Sequence, residues 1–265
     1  MANAYYEAGP KRAEKVHDLF AAIAPRYDRI NDLQSLGLHR WWKRRLVRLA
    51  KPTPGCHALD LCCGTGDVAF ALARAGAEVV GLDFSEPMLQ VARQRASSEK
   101  EIKQGNPKFM QGDAMEIPFP DASFDIVTVS YGLRNLASWE RGVEEMFRLA
   151  RPGGRLVVLD FGKPDFAPWR AAYYAYLRFI VPVFGRMFCG DAQAYSYILE
   201  SLKRYPAQRG VDACLRKLGC RDVRLYSLLS QLACRLVFRR RSRQFPSGHL
   251  FATLIRPPWC LARCC

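Results

Sequence analysis

The residues with the clearest potential for chemistry lie in two short segments about one helix apart. The first, Ala58–Asp67, runs from an apolar stretch into a Gly-x-Gly turn, and the second, Val79–Asp83, ends in a carboxylate 17 residues after Gly66. Gly64 and Gly66 supply backbone angles that other residues disfavour, and they let a ligand approach the main chain. Asp83 could accept hydrogen bonds from both hydroxyls of a ribose. Together the segments predict a nucleotide-binding βαβ unit.

Two classes of cofactor fit this layout. Dinucleotide enzymes carry Gly-x-Gly-x-x-Gly with a pyrophosphate at the helix N-terminus, and their pattern tolerates Ala69 at the third glycine position. Asp67 at the helix start would repel a pyrophosphate but suits S-adenosylmethionine, which is cationic and has no phosphate. Asp60, at the end of the first strand, would add a carboxylate near the sulfonium or amino group. S-adenosylmethionine is therefore favoured, while a dinucleotide and an ordinary βα turn capped by Asp67 remain alternatives.

Strand-like and helix-like segments alternate through the middle of the chain. Strands are predicted at 57–61, 78–82, 107–110, 124–130 and 155–160, and helices at 67–75, 86–97 and 138–150. Such alternation predicts an α/β fold with a doubly wound, mostly parallel sheet. Ligands of these sheets bind at the carboxyl ends of the strands. Thr65, Asp83, Asp113 and Ser130 all fall at those ends.

The chain divides into three predicted regions. Residues 1–50 form an N-terminal helical cap with helices at 14–24 and 39–50, and residues 51–229 form a Rossmann-like domain. That domain contains a helical insertion at about 164–205 after strand five, then a last helix at 209–218 and a sixth strand at 222–229. The aromatic-rich insertion either packs on the sheet as a helix pair or covers an apolar substrate as a lid. Residues 230–265 form a basic, cysteine-rich tail.

The formal net charge of +15 favours anionic partners, although a plain solvated surface explains it equally well. The tail contributes seven arginines and no acidic residue. Basic surfaces of this kind meet anionic membranes or acidic substrates, so nucleic acid is not implied.

The ten cysteines and the N-terminal sequence bear on the compartment. Cys62 and Cys63 lie beside the glycine turn, where a disulfide would disrupt it, and no paired Cys-x-x-Cys spacing predicts a metal site. The N-terminus has no signal-peptide pattern, and the longest apolar stretch is interrupted by Arg178, Pro182 and Arg186. We therefore expect a cytoplasmic protein with free thiols and no membrane span.

Over roughly residues 14–229 the chain resembles class I S-adenosylmethionine-dependent methyltransferases, and more specifically the UbiE/MenG family. The segment Tyr27–Trp42 fits that family's N-terminal signature of Tyr-Asp, Asn, Ser, His and Trp. Asp60–Asp67 together with Tyr131–Asn135, and then Arg148–Arg155, match two further family segments. Members of this family methylate a ring carbon in menaquinone and ubiquinone biosynthesis.

The resemblance implies a cofactor site and a substrate class. S-adenosylmethionine would be bound by Gly64, Thr65, Gly66, Asp83, Asp113, Ala114 and Ser130, with Asp83 on the ribose and Asp113 and Ala114 at the adenine. The acceptor would be a prenylated quinol. Asp160–Gly162 replaces the Glu-x-Ser-like ending common in the family, which favours demethylmenaquinol. Ubiquinone-pathway methylation, another apolar acceptor, a basic RNA methyltransferase and an inactive binding module are the alternatives.

Two residues within the family motifs are candidates for catalysis. Arg134 stays protonated and could stabilise a forming phenolate, because a nearby positive charge lowers the pKa of a phenol. His39 has a side chain suited to general-base chemistry. The structural alternatives are an ion pair for Arg134 and helix-fixing hydrogen bonds for His39.

The carboxyl-terminal end departs from the family, whose members usually finish with a seventh strand. Phe251–Ile255 is a candidate replacement, and an unrelated appendage is the alternative. The long prenyl tail of the substrate implies peripheral contact with the inner face of a membrane, through the basic helix His39–Arg48. A homo-oligomer is also compatible with the sequence.

Overall fold

A computed structural model of the chain describes residues 20, 23–35, 37–99, 102, 105–183, 199, 201–203, 205–228 and 233–240. The strands are β1 (His57–Leu61), β2 (Glu78–Asp83), β3 (Lys108–Gln111), β4 (Phe124–Ser130), β5 (Ala150–Phe161), β6 (Cys220–Leu228) and β7 (Ala233–Arg240). They form one sheet in the order β3-β2-β1-β4-β5-β7-β6. The helices are α1 (Tyr27–Ser35), α2 (Leu38–Ala50), α3 (Asp67–Arg74), α4 (Glu86–Ser98), α5 (Trp139–Leu149), α6 (Ala167–Ala175) and α7 (Ala207–Lys217). A π-helical segment, Tyr176–Ile180, follows α6.

The central strands are apolar on both sides because helices cover both faces of the sheet. Successive residues of a strand point to opposite faces. In β1 and β4, Leu59 and Val127 pack in one hydrophobic cluster, while Ala58 and Ile126 pack in a second. The two strands are parallel, with Ala58 opposite Ile126 and Leu59 opposite Val127. Strands β1 to β5 are all parallel, so the predicted doubly wound sheet is confirmed.

The predicted helix and strand bounds agree with the structure within about two residues over most of the sheet. The largest extension is β5, which begins at Ala150 rather than at 155. One helix, α1, was not predicted, and it is a short, largely polar segment that begins two residues after Pro25. The predicted helix at 14–24 falls mostly outside the described residues.

The seventh strand lies earlier than the sequence suggested. Residues 251–255 are outside the described part of the chain, whereas β7 comes directly after β6 and pairs antiparallel with both β5 and β6. The predicted tail therefore begins too early, since residues 233–240 belong to the sheet. The segment contains strand-forming residues, Leu236–Phe238, but the arginines and the cysteine around them made it resemble a polar tail in the sequence.

The N-terminal helices and the insertion form a layer against the sheet and against each other. Helix α2 buries Trp42, Leu46 and Val47 in the cluster that also contains Ala58. The described part of the insertion packs Tyr173 and Leu177 in a third cluster, whose other members include Ile23, Ile30, Val181, Leu199 and Leu202. The insertion therefore contacts the N-terminal cap as well as Phe161 at the end of β5.

Replacing Leu46 tests how strongly α2 is held to the sheet. Leu46 is 0% exposed, so Leu46→Ala removes buried methyl groups and leaves a cavity. We expect the free energy of unfolding, measured by urea denaturation, to fall by about 2–5 kcal/mol. The control is Leu38→Ala on the same helix, where the side chain is 38% exposed and the loss should be far smaller. Equal losses in both variants would contradict the packing described for α2.

Candidate active site

The turn after β1 has backbone angles and close contacts that few residue types other than glycine can adopt. Gly64 and Gly66 have φ of 54° and 88°, and Cys62 also has a positive φ of 51°. A Cβ on Gly66 would lie 2.9 Å from the rings of Phe70 and Phe109. The Gly66 position therefore requires glycine both for its backbone angle and for the space around it.

Asp83, the last residue of β2, ties this turn to the next one. Its Oδ2 accepts a hydrogen bond from the Gly64 N–H at 2.7 Å, and its Oδ1 accepts one from the Ser85 N–H at 2.9 Å. Charge-assisted hydrogen bonds of this kind contribute about 1.5–3 kcal/mol each. A carboxylate oxygen has more than one acceptor position, so this arrangement is compatible with a further bond to a ribose hydroxyl.

Four carboxylates converge where the central strands end; we call them the carboxylate cluster (Asp60, Asp83, Asp113 and Asp160). Their influence is seen at Cys62, whose thiol has a pKa raised first by burial and then by all four carboxylates. Cys62 and Cys63 form no disulfide. The cluster makes this end of the sheet suited to a cationic ligand.

Asp60 is the most deeply buried member of the cluster. Thr128 Oγ1 donates to Asp60 Oδ1 at 2.7 Å. Burial raises the pKa of Asp60 to about 7, and the positive charge of Lys43 opposes this only in part. At neutral pH the Asp60 carboxyl group is therefore poised between its protonated and ionised forms.

The residues at the strand ends fit the predicted S-adenosylmethionine. Its sulfonium and ammonium groups are cations, which the carboxylate cluster favours. Ser130, at the end of β4, has a buried hydroxyl oxygen with no hydrogen-bond partner among the described residues. Phe84 follows Asp83 and is 55% exposed, so it presents an aromatic surface beside the ribose-binding candidate. Sequence reasoning did not single out Phe84, although its place after Asp83 was a usable signal.

The side chains of the other three predicted cofactor residues, Thr65, Asp113 and Ala114, each contact other parts of the protein. Thr65 is buried, and its hydroxyl donates to Asp28 Oδ1 at 2.9 Å. The Asp113 carboxylate accepts the Met115 N–H at 2.8 Å, which closes the turn after β3. Ala114 packs its methyl group in the first hydrophobic cluster.

The charge of Asp67 is compensated, which corrects the reasoning from sequence. Lys43 Nζ lies 2.8 Å from Asp67 Oδ2, and Arg95 Nη2 lies 2.8 Å from Asp67 Oδ1. Burial opposes ionisation, but Lys43 and then Arg95 lower the pKa of Asp67. Because two cations neutralise it, Asp67 repels a pyrophosphate far less than the isolated residue would.

This ion-pair network also connects the N-terminal cap to the glycine turn. Arg95 donates to the carbonyl of Thr65 at 2.8 Å and pairs with Asp28 at 3.2 Å. Burial, followed by the charge of Asp67, raises the pKa of Asp28. The sequence did not identify these partners, because the charges lie on four separate segments and meet only in the folded chain.

Arg134 forms the buried ion pair that was the structural alternative for this residue. Its Nη1 lies 3.1 Å from Asp160 Oδ1 and donates to the Tyr131 carbonyl at 2.9 Å. Its Cζ lies 4.7 Å from the centroid of the Phe161 ring. Burial raises the pKa of Asp160, against the lowering effect of Arg134. Asp160 ends an apolar run as Asp83 does, and that position was the signal for its role.

His39 lies in α2, where its Nδ1 is 3.7 Å from Asp32 Oδ1. Its Nδ1 is 2.9 Å from Ser35 Oγ, and its backbone N–H donates to the same oxygen. Burial, and then the charge of Lys43, lower the pKa of His39 to about 4. Such an imidazole is neutral near pH 7 and is a weak base. These contacts are the helix-fixing ones, and a catalytic role for His39 stays a prediction.

The fold and the site define a class I, S-adenosylmethionine-dependent methyltransferase. The structure resembles that of an S-adenosylmethionine-dependent methyltransferase from Thermotoga maritima, with a TM-score of 0.61, 16% identity and coverage of 85% of this chain and 100% of that chain. It also resembles one from Aquifex aeolicus, with a TM-score of 0.52, 18% identity and coverage of 74% and 88%.

Sequence comparison then gives the family. Residues 9–237 match the model of the ubiE/COQ5 methyltransferase family. The demethylmenaquinone methyltransferase of Listeria monocytogenes (strain CLIP80459) is 39% identical over 219 residues, which are 82% of this chain and 91% of that protein. The enzyme of the same name from Bacillus licheniformis is 36% identical over 225 residues, 84% and 95% of the two chains. The chain belongs to the ubiE/COQ5 methyltransferase family, which confirms the predicted class of enzyme and its S-adenosylmethionine cofactor.

The raised pKa of Asp60 predicts a stability that falls as pH rises. The folded chain keeps this proton up to about pH 7, whereas the ordinary value is 3.8. Between those values the folded chain binds more protons than the unfolded chain, so raising the pH favours unfolding. At each pH, the free energy of unfolding of Asp60→Asn is subtracted from that of the wild type. We expect this difference to fall by about 2–3 kcal/mol between pH 5 and pH 8.

The subtraction matters because His39 acts in the opposite direction. Its lowered pKa makes stability rise with pH between about 4 and 6.5, equally in the wild type and in the Asp60 variant. Urea denaturation at each pH gives both curves, and Asp121→Asn, which changes an exposed carboxylate, serves as the control. A difference that stays constant for Asp60→Asn would contradict the pKa described here.

Proposed function

We propose that the protein transfers a methyl group from S-adenosylmethionine to a ring carbon of a prenylated quinol, converting demethylmenaquinol to menaquinol. The observation that carries this proposal is the name shared by its relatives, at 36–39% identity over most of the chain. The buried Arg134–Asp160 pair supports it, because it places a cation beside the carboxylate cluster at the ends of β4 and β5. Demethylmenaquinol, rather than a ubiquinone precursor, follows from the same relatives.

The protein's part in this reaction is to bind, to orient and to exclude water. S-adenosylmethionine, when bound, supplies an electrophilic methyl group. Asp83 would hold its ribose, Asp113 and Ala114 its adenine, and the Gly64–Gly66 turn would lie against it. A ring carbon of the quinol becomes a better nucleophile once a phenolic proton is lost to water. After the methyl group has bonded to that carbon, the hydrogen on the same carbon leaves as a proton to water, which restores the aromatic ring. Arg134 would donate a hydrogen bond to the ionised phenol oxygen, while Asp160, 3.1 Å away, balances much of its charge.

Positioning supplies the rest of the rate. Well-oriented intramolecular reactions gain up to about 7–11 kcal/mol over their bimolecular counterparts. Helix α6 and the N-terminal cap pack at the end of β5, where they would shield an apolar ring from water. The insertion would then act as the predicted lid as well as packing against its neighbours.

The direct test supplies methyl-labelled S-adenosylmethionine together with reduced demethylmenaquinone or a demethoxy-ubiquinol analogue. We expect label in the naphthoquinol, and at least about ten-fold less with Asp83→Asn, because an amide cannot reproduce two charge-assisted hydrogen bonds. Calorimetry should show that this variant loses affinity for S-adenosylmethionine.

The matched control for Asp83→Asn is Asp125→Asn at the opposite end of the sheet. Asp125 also accepts a backbone N–H, that of His57 at 2.9 Å, but it lies at the start of β4. Its replacement should leave label transfer intact. Label in the benzoquinol alone would move the assignment to the ubiquinone pathway, and label in neither quinol would refute the proposal.

We further propose that the protein lies in the cytoplasm and contacts the inner face of the membrane through α2. No helix among the described residues is long and apolar enough to cross a bilayer. Helix α2 exposes Arg44, Arg45 and Arg48. Trp41, which follows the exposed Arg40 on the same helix, has a side chain that is 45% exposed. Tryptophan favours the membrane interface, and each arginine near anionic lipid contributes about 1 kcal/mol. Such contact would bring the site near a substrate whose prenyl tail stays in the bilayer.

Liposome co-sedimentation tests this contact. Replacing Arg44, Arg45 and Arg48 together by glutamine should weaken binding to anionic vesicles on the order of 100-fold, and added salt should weaken wild-type binding. The control replaces Arg141, Arg209 and Arg216, which are exposed on α5 and α7, and removes the same number of charges. Equal loss in both triple variants would show a general charge effect and exclude α2 as the contact surface.

A further inference from the structure

Two buried tyrosine hydroxyls lie close to the Arg134–Asp160 pair. The hydroxyl oxygens of Tyr131 and Tyr173 are both buried, and neither has a hydrogen-bond partner among the described residues. They come from different parts of the chain, since Tyr131 directly follows β4 and Tyr173 lies in α6. Asp160 and Arg134 both act electrostatically on each hydroxyl.

Phe161 is the common neighbour that brings these groups together. Its ring centroid lies 5.1 Å from that of Tyr131 and 4.7 Å from Cζ of Arg134. The same Phe161 packs against the cluster that contains Tyr173. Phe161 therefore contacts the Tyr131 ring and the Arg134 guanidinium directly, and it packs against the cluster of Tyr173, where β4 and β5 end.

Among the described residues, the hydrogen bonds of Tyr131 do not involve its hydroxyl group. Tyr131 is held by its backbone, because its N–H donates to the Leu159 carbonyl at 2.7 Å and its carbonyl accepts from Arg134 and Asn135. Its φ of 60° is one that non-glycine residues seldom adopt. Buried hydroxyls in native proteins nearly always have a partner. A ligand with an oxygen atom is the partner that the arrangement of these two groups suits.

We infer that Tyr131 and Tyr173 bind the ring oxygens of the acceptor quinol by donating hydrogen bonds to them beside Arg134. This inference rests on the proposed function and names the residues that recognise its substrate. Burial raises the pKa of both tyrosines, so both stay protonated at neutral pH and act as donors. A donor bonded to an ionised phenol oxygen stabilises that form, which is the more nucleophilic one.

The test compares Tyr131→Phe and Tyr173→Phe with the wild type, using reduced demethylmenaquinone and S-adenosylmethionine. We expect kcat/KM for the quinol to fall roughly 10- to 100-fold in each variant, since each loses one hydrogen bond to a charged oxygen. The affinity for S-adenosylmethionine, measured by calorimetry, should be unchanged. Tm should stay the same or rise, because each change removes a buried hydroxyl that has no partner in the described structure.

A pH profile separates substrate recognition from a structural role. Without either donor, the apparent pKa of the bound quinol, which appears in the pH profile of kcat, should move upward by about one unit, which a packing defect would not cause. Tyr174→Phe is the matched control, because Tyr174 lies beside Tyr173 on α6 and is only half-buried. Its kcat/KM and pH profile should equal those of the wild type.

The possible failures are distinguishable. An active wild type whose kcat/KM and pH profile survive both changes would overturn the inference and leave the proposed function standing. A lowered Tm with an unshifted pH profile would show that the hydroxyls act in the fold, which also overturns it. Wild-type protein that neither methylates the quinol nor shows tryptophan-fluorescence quenching by it would refute both proposals.

Discussion

The Asp83 carboxylate is the contact on which the arrangement of the site depends. It accepts backbone hydrogen bonds from Gly64 and Ser85, and so it fixes the turns after two neighbouring parallel strands with one side chain. A neutral residue could not hold both turns as firmly, because bonds to a charged acceptor are the stronger ones. The same charge favours a cationic cofactor. Asp83 therefore joins the stability of the turns to the binding of the ligand.

Two further carboxylates near the site have cationic partners. Asp67 is neutralised by Lys43 and Arg95, and Asp160 is paired with Arg134. Because Lys43 belongs to α2, the first of these networks fastens the N-terminal cap to the start of α3.

The sequence predicted what depends on local pattern and on the geometry of parallel sheets. The apolar runs that end in Asp83 and Ser130 were enough to predict where the site lies, because parallel strands bring their carboxyl ends to one edge of the sheet. The partners of Asp67 and Arg134 could not be predicted, since each pairing joins residues that meet only through tertiary packing. Strand β7 was missed because its arginines resemble a solvated tail. At β7, pairing with two neighbouring strands decides the structure, and local charge does not.

Burial shifts the titratable groups of the site towards their neutral forms. It raises the pKa of Asp60 to about 7, lowers that of His39 to about 4 and raises that of Tyr131. A methyl transfer from a cation to an ionised phenol unites opposite charges and leaves neutral products. Low polarity strengthens the attraction between those charges, so an apolar environment favours the reaction. The few paired ions of the site would keep the reactants correctly oriented. A neutral imidazole can accept a proton, so the contacts of His39 with Ser35 leave its catalytic role a prediction.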